Sequence, residues 1–306
     1  MISQTKRIFC LALVLALPLA ALQAQGRRGG QRGARGQAAT LPGGTQTYRD
    51  VAYIPGGHRL QKLDLYVPKS NRKVPLIIFV HGGGFSRGDK GEQSPAPFLS
   101  DGYAFASINY RLSDDAIFPA QIEDCKAAVR WLRSNAEKYN LDPDHFGAWG
   151  TSAGGHLVAM LGTTGDTSIF DVGQNLDVSS RVQAVADWFG PTDFLQMDAH
   201  KVSNGMGHNG AGSPESKLIG GALPLNKEKA MAANPITYIT PGAPPFLIAH
   251  GDADRLVPHH QSVLLDAALK KAGVPVMFYT VKGGGHGLRN ATADKLRKEF
   301  FAKHLK

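Results

Sequence analysis

The chain has 306 residues, 42% of them hydrophobic, which is enough for one large core without division into several domains. Its formal net charge is +9, but Lys6, Arg7, Arg27, Arg28, Arg32 and Arg35 supply six of those charges, and residues 1–36 hold no acid. The surplus left elsewhere is about three, too small to argue for a nucleic-acid or anionic partner.

The chain opens as a targeting segment. Lys6 and Arg7 precede an apolar run from Ile8 to Leu22, and Ala24 offers a small residue for cleavage. Residues 1–24 therefore read as an export signal, with a secreted or periplasmic mature chain as the expectation. The run is short for a membrane span and Pro18 interrupts it, so no stable insertion is expected after cleavage. Cys10 lies inside the run, away from where a lipid anchor would sit. Cleavage leaves Cys125 alone, which rules out an intramolecular disulfide and predicts a small core thiol. Residues 25–47 follow as a basic Gly/Arg-rich leader. An arginine–glycine tract can bind RNA; behind an export signal this one reads as a solvated linker. Residues 48–306 are expected to form the folded domain.

Residues 50–67 alternate polar and apolar, as in Lys62-Leu63-Asp64-Leu65-Tyr66-Val67, and predict an antiparallel hairpin at a sheet edge. Leu76 to Val80 are five consecutive apolar residues ended by His81-Gly82-Gly83-Gly84-Phe85, the pattern of a central parallel strand covered on both faces. The glycines expose backbone N–H groups beyond the strand's carboxyl end, where they can hold a developing negative oxygen. A phosphate-binding loop would need a following G-K-S/T, which is missing. His81 reads as a loop-organising residue. Pro119 is placed to open a helix, and Ile122, Cys125, Val129 and Leu132 follow at helical spacing.

His145 to Trp149 reads as a short buried strand entering Gly150-Thr151-Ser152-Ala153-Gly154, and Ala153 to Leu161 can leave as a helix. G-x-S-x-G in that setting is a strand-to-helix turn that exposes the serine Oγ in a strained conformation. The Ala153 amide is then a third donor beside those of Gly83 and Gly84. His156, one helical turn on, is expected to pack or bond beneath the site. Residues 191–245 lack strong periodicity and predict a lid or substrate-binding insertion. Phe246 to His250 is another buried strand, opening into Gly251-Asp252-Ala253-Asp254; a helix over His260 to Ala272 is ended by Gly273. Val276 to Val281 is a further strand, leading to Gly284-Gly285-His286-Gly287. Strands alternating with helices predict an α/β domain, a mostly parallel sheet with helices on both faces.

The order serine, aspartate, histidine, each just past a strand's carboxyl end, suits an imidazole that removes the serine proton and a carboxylate that orients it. Spacing leaves Asp252 and Asp254 both open as that carboxylate. His250, His259 and His260 lack the spacing of a metal site. Asp187, Asp193 and Asp198 are scattered rather than paired, which gives a two-carboxylate glycosidase no support. No cofactor is implied.

With these motifs the chain resembles α/β-hydrolase-fold serine esterases carrying H-G-G-G (His81 to Gly84) and G-x-S-A-G-G (Gly150 to Gly155). Within them it is similar to the bifunctional carbohydrate and feruloyl esterase-like proteins, in His250 to Pro258, in Gly284 to Gly287 and in Asn109-Tyr110-Arg111-Leu112. The likeness covers roughly residues 48–305. It implies Ser152, Asp254 and His286 as catalytic residues, with Asp252 fixing the loop, and Gly83, Gly84 and Ala153 as the oxyanion hole. It also implies a covalent acyl-enzyme acting on short acyl, acetyl or feruloyl esters of plant polysaccharide. Phe85 stands where a tryptophan is frequent, a departure expected to alter the acyl pocket, and Thr151 fills a variable position. Two rival readings share the fold. A peptidase similar to the prolyl oligopeptidase group would be expected to carry a large extra domain; a non-catalytic binding protein would not need the intact motifs.

Overall fold

The computed structural model describes Met1 and residues 40–306; residues 2–24 of the expected signal segment and 25–39 of the expected leader lie outside the described residues. In chain order the strands are β1 (Gln46–Ala52), β2 (Lys62–Val67), β3 (Val74–Val80), β4 (Ala104–Ile108), β5 (Leu141–Thr151), β6 (Ala184–Trp188), β7 (Phe246–Gly251) and β8 (Val276–Val281). The helices are α1 (Ala96–Ser100), α2 (Ala120–Ser134), α3 (Ala153–Thr163), α4 (Met197–His200), α5 (Pro214–Ile219), α6 (Lys227–Ala232), α7 (His260–Lys271) and α8 (Ala291–Leu305). The spatial strand order is β1-β2-β4-β3-β5-β6-β7-β8. β2 runs antiparallel to β1 and β4, and every other pair is parallel. This is the eight-stranded sheet of the α/β-hydrolase fold.

The edge hairpin expected over 50–67 is the β1–β2 pair. β1 begins at Gln46, so the last two residues of the expected leader are already sheet, and Leu41 packs against the core.

Alternation along the strands builds two cores. Leu76, Ile78 and Val80 of β3 belong to one core together with residues of α2, α3 and α7, whereas Ile77 and Phe79 belong to the other, with residues of α1 and α8. On the first face Ile122, Cys125, Val129 and Leu132 of α2 are fully buried, as their spacing predicts. α2 starts at Ala120, one residue later than expected, with Pro119 immediately before it. On the second face Phe301 and Leu305 of α8 lie against Gly147 of β5, where an added Cβ would meet Leu305 Cδ1 at 2.7 Å. That glycine lets the C-terminal helix seat directly on the central strand.

The segment between β6 and β7 is a chain of short helical pieces. Phe194, Met197, Leu218, Ile219 and Leu223 anchor it to the first core.

Candidate active site

The carboxyl ends of β3, β5, β7 and β8 bring the motif residues together. β5 delivers Ser152 into φ +54°, ψ −121°, a strained backbone for a residue bearing a side chain. Its amide donates to Trp188 O at 2.9 Å. The turn closes only because its flanks are glycine: a Cβ on Gly150 would meet Gly154 O at 2.1 Å, and one on Gly154 would meet Val80 O at 2.0 Å.

Ser152 Oγ lies 3.0 Å from His286 Nε2, and His286 Nδ1 lies 2.7 Å from Asp254 Oδ2. Asp254 is sealed, and Oδ1 accepts the amides of Leu256 at 2.8 Å and Val257 at 3.0 Å. Burial alone would raise its pKa, but hydrogen bonds from His250 and His286 outweigh that and hold the carboxyl well below its ordinary range. Asp252 instead accepts the Gly283 amide at 2.7 Å and pairs with Lys282 at 3.1 Å, fastening the loop that carries His286.

Sequence reasoning missed a second imidazole on the acid. His250 Nε2 donates to Val257 O at 3.0 Å and to Asp254 Oδ2 at 3.2 Å, while Nδ1 accepts from Ser262 Oγ at 2.7 Å. The signal was present as a histidine four residues before the aspartate.

Across from Ser152 the glycine loop turns through left-handed Gly83 (φ +106°) and Gly84 (φ +60°). A Cβ on Gly83 would meet Arg87 O at 2.1 Å, so only glycine closes this loop. The amides of Gly83, Gly84 and Ala153 have no acceptor among the described residues, and all three residues line one cavity with Ser152 and His286. The Asn109-Tyr110-Arg111 stretch fastens this loop. Tyr110 Oη donates to His81 O at 3.1 Å and stacks on the His81 ring, and Asn109 Nδ2 donates to Asp89 Oδ2 at 2.9 Å. Arg111 clasps Asp124 of α2 through Nε at 2.9 Å and Nη2 at 2.7 Å.

His156 sits beneath the turn, where its Nδ1 bonds Pro191 O at 2.9 Å. Burial pushes its pKa down to about 4, against that hydrogen bond. Asp187, at the end of β6, is sealed in the same layer; burial pushes it up to about 7 although the Gly190 amide donates to it at 2.9 Å. His259 bonds Thr280 Oγ1 at 2.9 Å and His260 stacks on His200. Among the described residues no three or more His, Cys, Asp or Glu are grouped to hold a metal.

The cavity holds about 370 Å³ and its wall is largely apolar, from Phe85, Phe189, Pro191, Met206, Leu256 and Val257. Phe85 is itself left-handed (φ +59°) and packs edge-on to His156 and Phe194. Pro191, Met206, Pro214 and Glu215 come from the segment expected as an insertion. Chemically the arrangement can pass a proton from Ser152 to His286 and offers unused amides beside the oxygen that would attack.

Known proteins share this architecture. Esterase LipQ of Mycobacterium tuberculosis is 31% identical over 220 residues, 70% of this chain and 50% of LipQ. The chain spans about half the length of the curated relatives it matches. Among solved structures, a truncated carbohydrate esterase from gut microbiota superposes with a TM-score of 0.78 at 37% identity, covering 84% of this chain and 95% of that one. The bifunctional GH43-CE of Bacteroides eggerthii gives 0.76 at 36% identity, covering 84% of this chain and 38% of its own. The BD-FAE family model matches residues 63–269, from β2 through most of α7. A match across that much of the sheet and its crossovers makes the protein a member of the BD-FAE family, built on the α/β-hydrolase fold.

Proposed function

We propose that the protein is an exported serine carboxylic-ester hydrolase that works through a covalent acyl-enzyme on short acyl, acetyl or feruloyl esters of plant polysaccharide. The observation that carries the reading is the continuous relay from Ser152 Oγ through His286 to Asp254, at 3.0 and 2.7 Å, opening onto unused amides. His286 Nε2 takes the Ser152 proton as Oγ attacks the ester carbonyl, and Asp254 holds the Nδ1–H tautomer and stabilises the imidazolium. The carbonyl oxygen, now negative, is held by the amides of Gly83, Gly84 and Ala153. His286 then returns the proton to the departing alcohol, and water, deprotonated by the same imidazole, releases the acid. The polysaccharide half of the reading is supported by similarity to carbohydrate esterases and by the expected export signal at residues 1–24.

The test is hydrolysis of p-nitrophenyl acetate, butyrate and octanoate, methyl ferulate and acetylated xylan by the protein and by Ser152→Ala. Turnover that disappears in the variant supports a serine esterase, and the ferulate-to-xylan ratio selects the acyl class. No Ser152-dependent turnover on any of them sinks the reading and puts peptide hydrolysis or binding without catalysis first. Export is checked separately: the signal reading requires a periplasmic or secreted product whose N-terminus begins near residue 25.

A further inference from the structure

Besides His286, the ionisable side chains lining the cavity are the exposed Arg87 and Glu92, and Glu215, which is different in kind because it is only 3% exposed. Glu215 lies in the first turn of α5, and its Oε2 accepts from His208 Nδ1 at 2.8 Å. His208 is completely sealed, and its Nε2 has no partner. Nδ1 is the ring nitrogen that meets the carboxylate, and the ring serves to aim it.

The ring is itself fixed from several sides. The His208 amide donates to Asp198 Oδ1 at 2.8 Å, and its carbonyl accepts Ser213 Oγ at 2.6 Å. Ser213 Oγ in turn accepts the Ser216 amide at 3.1 Å, capping the helix that carries Glu215. The same segment is tied to the loop holding Asp254 by the Met206 amide, which donates to Arg255 O at 2.8 Å.

Burying a carboxylate is costly unless its oxygens are satisfied. Here one oxygen is satisfied by His208. The other, Oε1, has no hydrogen-bond partner among the described residues, and Glu215 lines the cavity, so Oε1 is the oxygen left for a ligand. A rigid acceptor facing the space beside Ser152, in a largely apolar wall, matches a ligand that brings an O–H donor. It disfavours a ligand that brings a carboxylate.

We propose that Glu215 is a specificity residue: Oε1 accepts a hydroxyl hydrogen from the substrate, so the site selects esters with a hydroxyl in reach over their deoxy counterparts. This rests on the ester-hydrolase reading and narrows its substrate class. The hydroxyl can belong to a sugar ring on the alcohol side or to a phenol on the acyl side; both present the same donor.

Two matched pairs separate those sources. Methyl 4-hydroxycinnamate against methyl cinnamate probes the acyl side, and methyl xyloside monoacetate against cyclohexyl acetate probes the alcohol side. The wild-type protein is expected to favour the hydroxylated member of one pair. Glu215→Gln is expected to reduce that kcat/KM preference about 10- to 100-fold, the range for losing a hydrogen bond to a charged acceptor. A preference unchanged within about twofold in both pairs overturns the proposal.

Glu215→Gln is near-isosteric, and an unaltered melting temperature shows that the change is not one of folding; Glu215→Ala repeats the measurement without an amide. Ser152-dependent p-nitrophenyl acetate turnover by the wild-type protein separates this outcome from failure of the ester-hydrolase reading. Binding gives an arm that needs no turnover. Ser152→Ala titrated with methyl β-xyloside and with methyl ferulate is expected to bind one of them about tenfold more tightly than Ser152→Ala/Glu215→Gln does. Equal Kd values, or no binding of either probe, count against the proposal.

Discussion

Gly154→Ala adds one methyl group at the point where the serine turn leans on the glycine loop. An ideal Cβ there lies 2.0 Å from Val80 O, 2.6 Å from His81 O and 2.7 Å from Val80 C, whereas real Cβ contacts stay above 3.0 Å. The backbone must therefore part by about 1 Å, and the atoms it pushes are those that lead into Gly83 and Gly84. They have little room to yield, because His81 O is also held by Tyr110 Oη at 3.1 Å. A misplacement of about 1 Å between reacting groups costs about 100-fold in rate. Overpacking costs about 1–3 kcal/mol, larger than the roughly 1 kcal/mol that alanine gains over glycine in a helix. For a domain of this size the corresponding fall in melting temperature is about 2–12 °C before that offset. The assay is p-nitrophenyl acetate hydrolysis beside a thermal melt, with Gly43→Ala as the control because nothing lies within 4 Å of its Cβ. If Gly154→Ala keeps kcat within about threefold of wild type and melts within about a degree of it, the reasoning fails.

Asp254→Asn is expected to lower kcat about 10⁴-fold, whereas Asp252→Asn, which loses only a loop bond, should cost less than about tenfold; comparing the two decides which aspartate is the acid. Phe85→Ala removes a side chain that is 1% exposed and enlarges the cavity. The octanoate-to-acetate ratio of kcat/KM should rise while stability falls by about 3–5 kcal/mol, and a ratio that stays put would show that Phe85 does not bound the acyl group. Asp187 supplies a pH test. Its carboxyl is raised from 3.8 to about 7 in the fold by burial, so the neutral form is favoured there. The stabilising contribution is complete below pH 3.8 and is lost as pH rises toward 7. The urea midpoint of Asp187→Asn relative to wild type should therefore increase across that interval and level off above it; parallel curves would contradict the assignment.

Much of the framework is legible in the sequence because its signals are local. β3, β5 and β7 announce themselves as apolar runs that stop at glycine or at an aspartate loop, and the groups of interest follow directly at their ends. β4 and β6 stayed unassigned: Ala-Phe-Ala-Ser-Ile and Ala-Val-Ala-Asp-Trp are short, rich in alanine and interrupted by a polar residue that the fold nevertheless buries. α8 escaped for another reason: its core-facing stripe of Ala293, Leu296, Phe300, Phe301 and Leu305 opens on a small alanine and is thinly apolar among charged side chains. His208 and Glu215 lie in a stretch whose helices run four to six residues. No periodicity can develop over such lengths, and their pairing depends on how the loop between α4 and α5 folds back onto Asp198 and Ser213. His250 was visible in sequence as part of a motif, but its bond to Asp254 depends on how the loop after β7 folds back.

Ser152 and the imidazole it bonds hang on parts of the sheet with unequal protection. Ser152 extends from β5, a central strand sealed from Phe146 to Gly150, whereas His286 follows β8, which pairs with β7 alone and has no fully buried residue. Peeling of an outer strand needs far less free energy than global opening. Mild heat or low denaturant should therefore silence the protein while most of its secondary structure persists. Amide hydrogens of residues 276–288 should exchange well ahead of those in β3 and β5. The working lifetime of such a protein is then set by the fraying of one margin, and gains made deep in its core would do little to extend it.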